Sequence, residues 1–310
     1  AYEAFRRFER LGAVKEIPRE RDLFRTAATD YVQAVAAGKR CLAISPVWSE
    51  IRQFTTAVRA QLRTAGTLAE AERICGVVSP LHWTREERRR VENYRPGEVL
   101  VFHRPAHGFL KHEMVTVLRT RDRWLEVERV DGVKRWLEPG RAFGFEVGER
   151  HDLPVSVGDR LLIRANAKPI RLKNGDIVEV AGLGDDGVIH LQDGRRIPAY
   201  FRQFTHGYAT TSHAAQGKTV DRGILLMGDE AVVAADLKQA YVSNSRFRES
   251  QMIYTTDRAA AVAAMEQPGD RRLATEAVAE TAETTAHESV WQRYFAPNRT
   301  GEGTGMGAGR

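Results

Sequence analysis

The hydrophobic period of the chain changes twice, and few folds accommodate that. Before Tyr94 the apolar residues recur at helical spacing or in short continuous runs, between Tyr94 and Arg202 they alternate residue by residue, and beyond Arg202 the first pattern returns. Cys41-Leu42-Ala43-Ile44 reads as a buried strand closed by Ser45-Pro46. Ile51, Phe54, Val58 and Leu62 then mark one face of a helix, giving half of a βαβ unit. A second helix is expected from about Asp22 to Ala37, and a short helical turn at Phe5, Phe8 and Leu11. In the middle, GEVLVFHR, HEMVTVLRT, WLEVERV, DRLLIRA, DIVEVAGL and GVIHLQDG are short alternating runs. Asp131-Gly132, Asn174-Gly175, Asp186-Gly187 and Asp193-Gly194 punctuate them as hairpin turns of antiparallel β structure. Past Arg202, Gly223–Met227 and Gln251–Thr255 read as buried strands, with a short helix at Asp236–Tyr241 between them. The expectation is an α/β domain with a parallel sheet, interrupted in sequence by an all-β insertion of about 110 residues. Its segments are 1–93 and 204–265 for the α/β domain and 94–203 for the insertion, followed by a disordered Ala/Thr/Glu-rich tail over 266–310.

Composition narrows the class. With 42% hydrophobic and 28% charged residues in 310, the chain should fold, which excludes a wholly disordered protein. No apolar run reaches the roughly 18 residues of a membrane span, and Ala1-Tyr2-Glu3 opens no leader, so a soluble, cytoplasmic protein is expected. The missing initiator Met suggests an excised piece. Cys41 and Cys75 lie far apart with no CxxC pair, which argues against a disulfide framework or structural zinc. The 47 Lys and Arg residues outnumber the 41 Asp and Glu, and the last 45 residues hold seven acids and five bases. The excess positive charge therefore lies in the body and suits an anionic partner.

One local string concentrates chemistry: Thr210-Thr211-Ser212-His213-Ala214-Ala215-Gln216-Gly217-Lys218-Thr219. Gly217-Lys218-Thr219 invites a phosphate-loop reading, but Ser212 stands where that loop needs its first Gly, so an autonomous nucleotide site fails on spacing. The run Arg85-Glu86-Glu87-Arg88-Arg89-Arg90 reads as a solvated helix face or a DNA contact. His103, His107 and His112 have no metal-ligand spacing, so no metal site is expected. Trp83, Trp124 and Trp136 read as core packing, with Trp124 or Trp136 as a stacking face for a base in the other reading.

Together these strings resemble the RecD-like branch of superfamily-one DNA helicases. CLAISPVWSEIRQFTTAVRAQL resembles motif IV, HGYATTSHAAQGKTVDRGILLM motif V and QAYVSNSRFRESQMIYTTD motif VI, in the family's order. Ser243-Asn244 departs from the usual small-residue pair but leaves Arg246 in place. The stretch from VGDRLLIRANAKPIRLKNGD to RQFTHGYA, at about 155–203 and beyond, resembles the small SH3-like barrel that this branch inserts between motifs IV and V. The variants most like it are the helicase regions of MobF-type conjugative relaxases, and the resemblance covers roughly residues 1–265.

The resemblance implies a RecA-like second motor domain, the C-terminal half of an ATP-dependent DNA helicase. Arg246 would be an arginine finger and catalytic residue, with Gln216 and Gly217 beside the nucleotide. Ser45, Pro46, Thr211 and His213 would meet the backbone of single-stranded DNA, as donors that bind phosphate without reading sequence. Arg164, Lys168, Arg171 and Lys173 in the barrel suit strand tracking. ATP and Mg²⁺ would be bound mainly by an N-terminal RecA-like domain of the same parent chain, with an upstream relaxase domain as a further partner, and the fragment alone would be inactive. The alternative is a degenerate helicase domain that serves as a DNA-binding or protein-docking module without ATPase activity.

Overall fold

Both ends of the interrupted α/β pattern meet in one parallel sheet. The structure, a computed structural model, describes residues 10–141, 144–211, 214–215, 219–235 and 247–266. Strands β1 (Val14–Glu16) and β2 (Cys41–Ile44) come from the first segment. Strands β14 (Ala209–Thr210), β15 (Val220–Met227) and β16 (Phe247–Thr255) come from the last. They lie in the order β1-β16-β15-β2-β14, and every neighbouring pair is parallel.

Helix α1 (Glu20–Ala36) follows β1. Glu20 and Asp22 sit in its first turn, where the helix dipole favours negative charge. Leu23, Phe24, Ala27, Ala28, Tyr31 and Ala34 form the buried stripe, and Gly38 at φ 74° ends it in a left-handed turn. Helix α2 (Trp48–Thr64) follows β2 and buries Ile51, Phe54, Val58 and Leu62. Along β15, Ile224 and Leu226 join the core under α1 and α2, while Leu225 and Met227 join a second core with Ile253 and Ala261. Ala261 belongs to α5 (Arg258–Glu266), and a short α4 (Asp229–Ala234) follows β15. Burial on both faces is why these strands read as continuous apolar runs.

The chain leaves the parallel sheet after α2, well ahead of the change of period near Tyr94. Strand β3 (Arg73–Pro80) pairs antiparallel with β8 (Phe145–Val155) at the end of a six-stranded sheet. The others are β4 (Val99–Phe102), β5 (Met114–Arg121), β6 (Trp124–Arg129) and β7 (Lys134–Leu137), in the order β3-β8-β4-β5-β6-β7. A five-residue helix, α3 (Arg85–Arg89), lies between β3 and β4. Alternation places Val115, Val117, Leu125 and Val127 in the core. Trp124 and Trp136 correct the core-packing expectation: both are exposed, because they alternate with Leu125 and Leu137, which take the inward positions. Trp83 is half-buried and edge-on to Tyr94 at 5.0 Å.

A third sheet, also antiparallel, holds β9 (Arg160–Ile163), β10 (Ile177–Leu183), β11 (Ile189–Leu191), β12 (Arg196–Ile197) and β13 (Phe204–His206) in the order β12-β11-β10-β9-β13. Its core takes in Cys75, Val77, Leu153 and Val155 from β3 and β8, so the two antiparallel sheets share apolar contacts. Cys41 and Cys75 are both buried free thiols. Among the described residues no helix is long and apolar enough to cross a membrane. The expected turn at Phe5 and Phe8, the helix at Asp236–Tyr241 and the tail beyond Gln267 lie outside the described residues.

Candidate nucleic-acid interface

Parallel strands share a direction, so β2, β14 and β15 all end at one edge, the kind of edge at which open α/β sheets collect ligands. Ser45, Pro46 and Thr211 come together there. The Ser45 N–H donates to the Thr210 carbonyl at 3.2 Å. The Ser45 side chain is wholly buried; its Oγ donates to Glu50 Oε2 at 3.0 Å and accepts from the Val47 N–H at 3.1 Å. Ser45 therefore shapes the loop and offers no free hydroxyl to a strand, whereas Pro46 is half-buried at the surface. Thr211 Oγ1 accepts from the Ala214 N–H at 3.3 Å and its carbonyl from the Ala215 N–H at 2.9 Å, which folds the chain back after β14. His213, Gln216, Gly217 and Arg246 lie outside the described residues. At the opposite edge Val220 pairs with Phe247, so the chain enters β15 and β16 side by side.

Glu50 was not singled out in the sequence, since an acid in a first helical turn is ordinary there. It is buried at the carboxyl edge, and its Oε1 accepts from the Ala231 N–H at 2.8 Å, tying α4 to the Ser45 loop. Burial pushes its carboxyl up to about 7, against the opposing pull of the Ala231, Ser45 and Gly228 hydrogen bonds. Folding therefore favours the protonated form. This contribution to stability is fully present below the unfolded value of 4.5 and is lost as pH rises through about 7. The wild type should lose about 3 kcal/mol over that window relative to Glu50→Gln. Urea denaturation at a series of pH values measures it, and parallel pH profiles for the two proteins would refute it.

Two residues beyond Pro46, Trp48 opens α2 with 41% of its surface exposed. Arg164, just after β9, lays its guanidinium 5.7 Å from the Trp48 ring centroid. Burial lowers the Arg164 pKa, and among the described residues no carboxylate meets that guanidinium. An exposed indole beside an uncompensated cation suits a stacked base and its phosphate. Lys168, Arg171 and Lys173 are exposed on the same sheet's loops.

A buried network fixes that sheet against α2. Arg59 Nε and Nη2 donate to Asp159 Oδ1 and Oδ2, each at 3.0 Å, and Nη2 also donates to Glu72 at 2.9 Å. Asp159 further accepts from the Tyr208 hydroxyl at 2.8 Å and the Ser156 N–H at 2.7 Å. Next to it Gly158, at φ 92°, permits a close approach: a Cβ there would lie 2.3 Å from the Thr67 carbonyl oxygen.

The chain resembles known proteins in sequence. It is 25% identical over 181 residues to the multifunctional conjugation protein TraI of Escherichia coli, a stretch that is 56% of this chain and 10% of TraI. It is 32% identical over 127 residues to the probable conjugal transfer protein TraA of Sinorhizobium fredii (strain NBRC 101917 / NGR234), 38% of this chain and 11% of that one. The chain is related to the TraI and TraA conjugation proteins. The conjugative resemblance carried by motifs IV to VI therefore holds, and the chain spans about a tenth of the length of the TraI and TraA relatives it matches. No protein-family model matches it. Among solved structures, a complex of Pif1 helicases at forked double-stranded DNA shares 22% identity over 45% of this TraI-related chain and 34% of its own, with a TM-score of 0.29. A Bacteroides Pif1 helicase with ADP-AlF3 and single-stranded DNA shares 15% over 80% of this chain and 45% of its own, with a TM-score of 0.25.

Proposed function

We propose that the chain is the C-terminal half of an ATP-dependent DNA helicase of the conjugative relaxase-helicase type, acting in the cytoplasm. Strands β1, β2 and β14–β16 with α1, α2, α4 and α5 are its RecA-like second motor domain, the antiparallel strands from β3 to β13 are the β insertion with an SH3-like barrel at its end, and 266–310 is a tail. Single-stranded DNA lies along the carboxyl edge of the parallel sheet, past Pro46, Thr211 and His213. Gln216, Gly217 and Arg246 face a nucleotide completed by an N-terminal RecA-like domain of the parent chain, which an upstream relaxase domain precedes. ATP supplies the phosphoryl group whose transfer drives the motor. ATP and Mg²⁺ are bound mainly by that N-terminal domain.

The observation that carries the DNA-binding part is the pairing of Trp48 and Arg164 beside Pro46 at the ends of the parallel strands. One aromatic–base stack is worth about 1–3 kcal/mol, so Trp48→Ala should weaken binding of a labelled oligothymidine about tenfold or more. The slope of affinity against salt should stay unchanged, because no phosphate contact is lost. Fluorescence anisotropy reads both, and a wild-type chain that binds no single strand, or a variant that binds as tightly as wild type, overturns the assignment.

A further inference from the structure

The Arg85–Arg90 run occupies a place in the fold that the strand track past Trp48 does not use. Helix α3 is too short to persist alone and is held by its surroundings. Thr84 and Glu87 close a capping box, the Tyr94 hydroxyl donates to the Arg88 carbonyl at 2.5 Å, and Asn93 Nδ2 donates to the Glu87 carbonyl at 2.9 Å. The box spends the Glu87 carboxylate on the helix backbone, where it no longer neutralises its neighbours.

The arginines then converge. Arg85, Arg88, Arg89 and Arg104 line a cavity of about 420 Å³ floored by Gly144 and Phe145, and among the described residues no acid lines it. Arg88 is fixed by its Nη1 donating to the Phe145 carbonyl at 2.5 Å. Arg104 crosses Gly144, where a Cβ would lie 2.4 Å from the Arg104 Cγ, so only the glycine leaves the arginine this path. Glu86 reaches Arg89 only at 3.5 Å, and neither Arg88 nor Arg104 meets a carboxylate among the described residues. Four guanidinium groups placed this way, Arg88 and Arg104 without a carboxylate among the described residues, are built for an anion with several oxygens.

We infer that this cavity grips the phosphodiester backbone of a nucleic-acid strand, at a point on the six-stranded sheet distinct from the Trp48–Arg164 pair. The Phe145 side chain is buried, so among the described residues the cavity presents no open aromatic face to a base, and the grip is independent of sequence. The inference rests on the nucleic-acid reading above. Its test is Arg89→Gln/Arg104→Gln in the full chain, with anisotropy on labelled oligothymidine and oligoadenosine across a salt series. Both side chains are exposed, so the fold should tolerate the change. The slope of log affinity against log salt should become shallower by about 1.4, two single-strand phosphate contacts' worth, and equally for both oligonucleotides. If the wild type binds and the double variant keeps its slope, the cavity is not a phosphate site while the DNA-binding reading stands. If the wild type binds neither oligonucleotide, both fall.

Discussion

In a parent chain that carries both motor domains, Arg246→Ala should lower single-strand-dependent ATP hydrolysis about 10³- to 10⁵-fold, the range an arginine finger contributes to phosphoryl transfer. The cause is electrostatic: charge spreads over the equatorial oxygens of the transferring group, and a guanidinium brought from a second domain stabilises it only in the transition state. Val220 pairs with Phe247, so β15 and β16 begin side by side. The proposed strand-binding edge, with Pro46, Thr211 and Trp48, lies at the carboxyl ends of β2 and β14, and nucleotide-free affinity for single strands should be untouched. Arg246→Lys keeps the charge but not the planar fork, and should recover only part of the rate. Hydrolysis by Arg246→Ala at the wild-type rate would rule the finger out and favour a docking module over a motor.

What the sequence revealed follows from which environments leave a local signature. β2, β15 and β16 were readable because burial on both faces demands unbroken apolar runs, and the antiparallel strands because one buried face demands alternation. β3 was not, since it lies at the edge of its sheet beside β8 and Gly76 breaks its pattern. The site divides in the same way. Ser45-Pro46 and Thr211 were visible as motif residues, but Ser45 spends its hydroxyl on Glu50, a partner that nothing in a first helical turn marks out. Trp48 became notable only once the fold laid Arg164 over it, from more than a hundred residues away in sequence. Local pattern predicts local conformation; it is silent about which distant side chains the topology will bring into contact.

The Arg59–Asp159 pair, 100 residues apart in sequence, is where that silence carries the largest stability consequence. Asp159→Ala should destabilise the chain by about 3–5 kcal/mol, because it leaves a buried cation short of its partner. Arg59 would keep one carboxylate, Glu72, whose side chain is one-third exposed and already shared with Arg63, and a long 3.4 Å bond to Ser156 Oγ, while the Tyr208 hydroxyl and the Ser156 N–H would lose their acceptor. The pair itself is not expected to be worth that much. Its desolvation offsets most of its attraction, so Arg59→Met/Asp159→Leu, which removes both charges, should lie much nearer wild type in urea denaturation. The contrast between single and double variants separates an unpaired buried charge from a mere loss of packing, which would make the double variant at least as unstable as the single. There is a functional corollary. Asp159 immediately precedes β9, and Arg164 immediately follows it, so Asp159→Ala should also loosen the guanidinium above Trp48 and weaken single-strand binding under conditions where the fold persists. A loss of stability in Asp159→Ala below about 1 kcal/mol would mean that Glu72 alone satisfies Arg59 and that the third sheet is held to α2 by its apolar contacts.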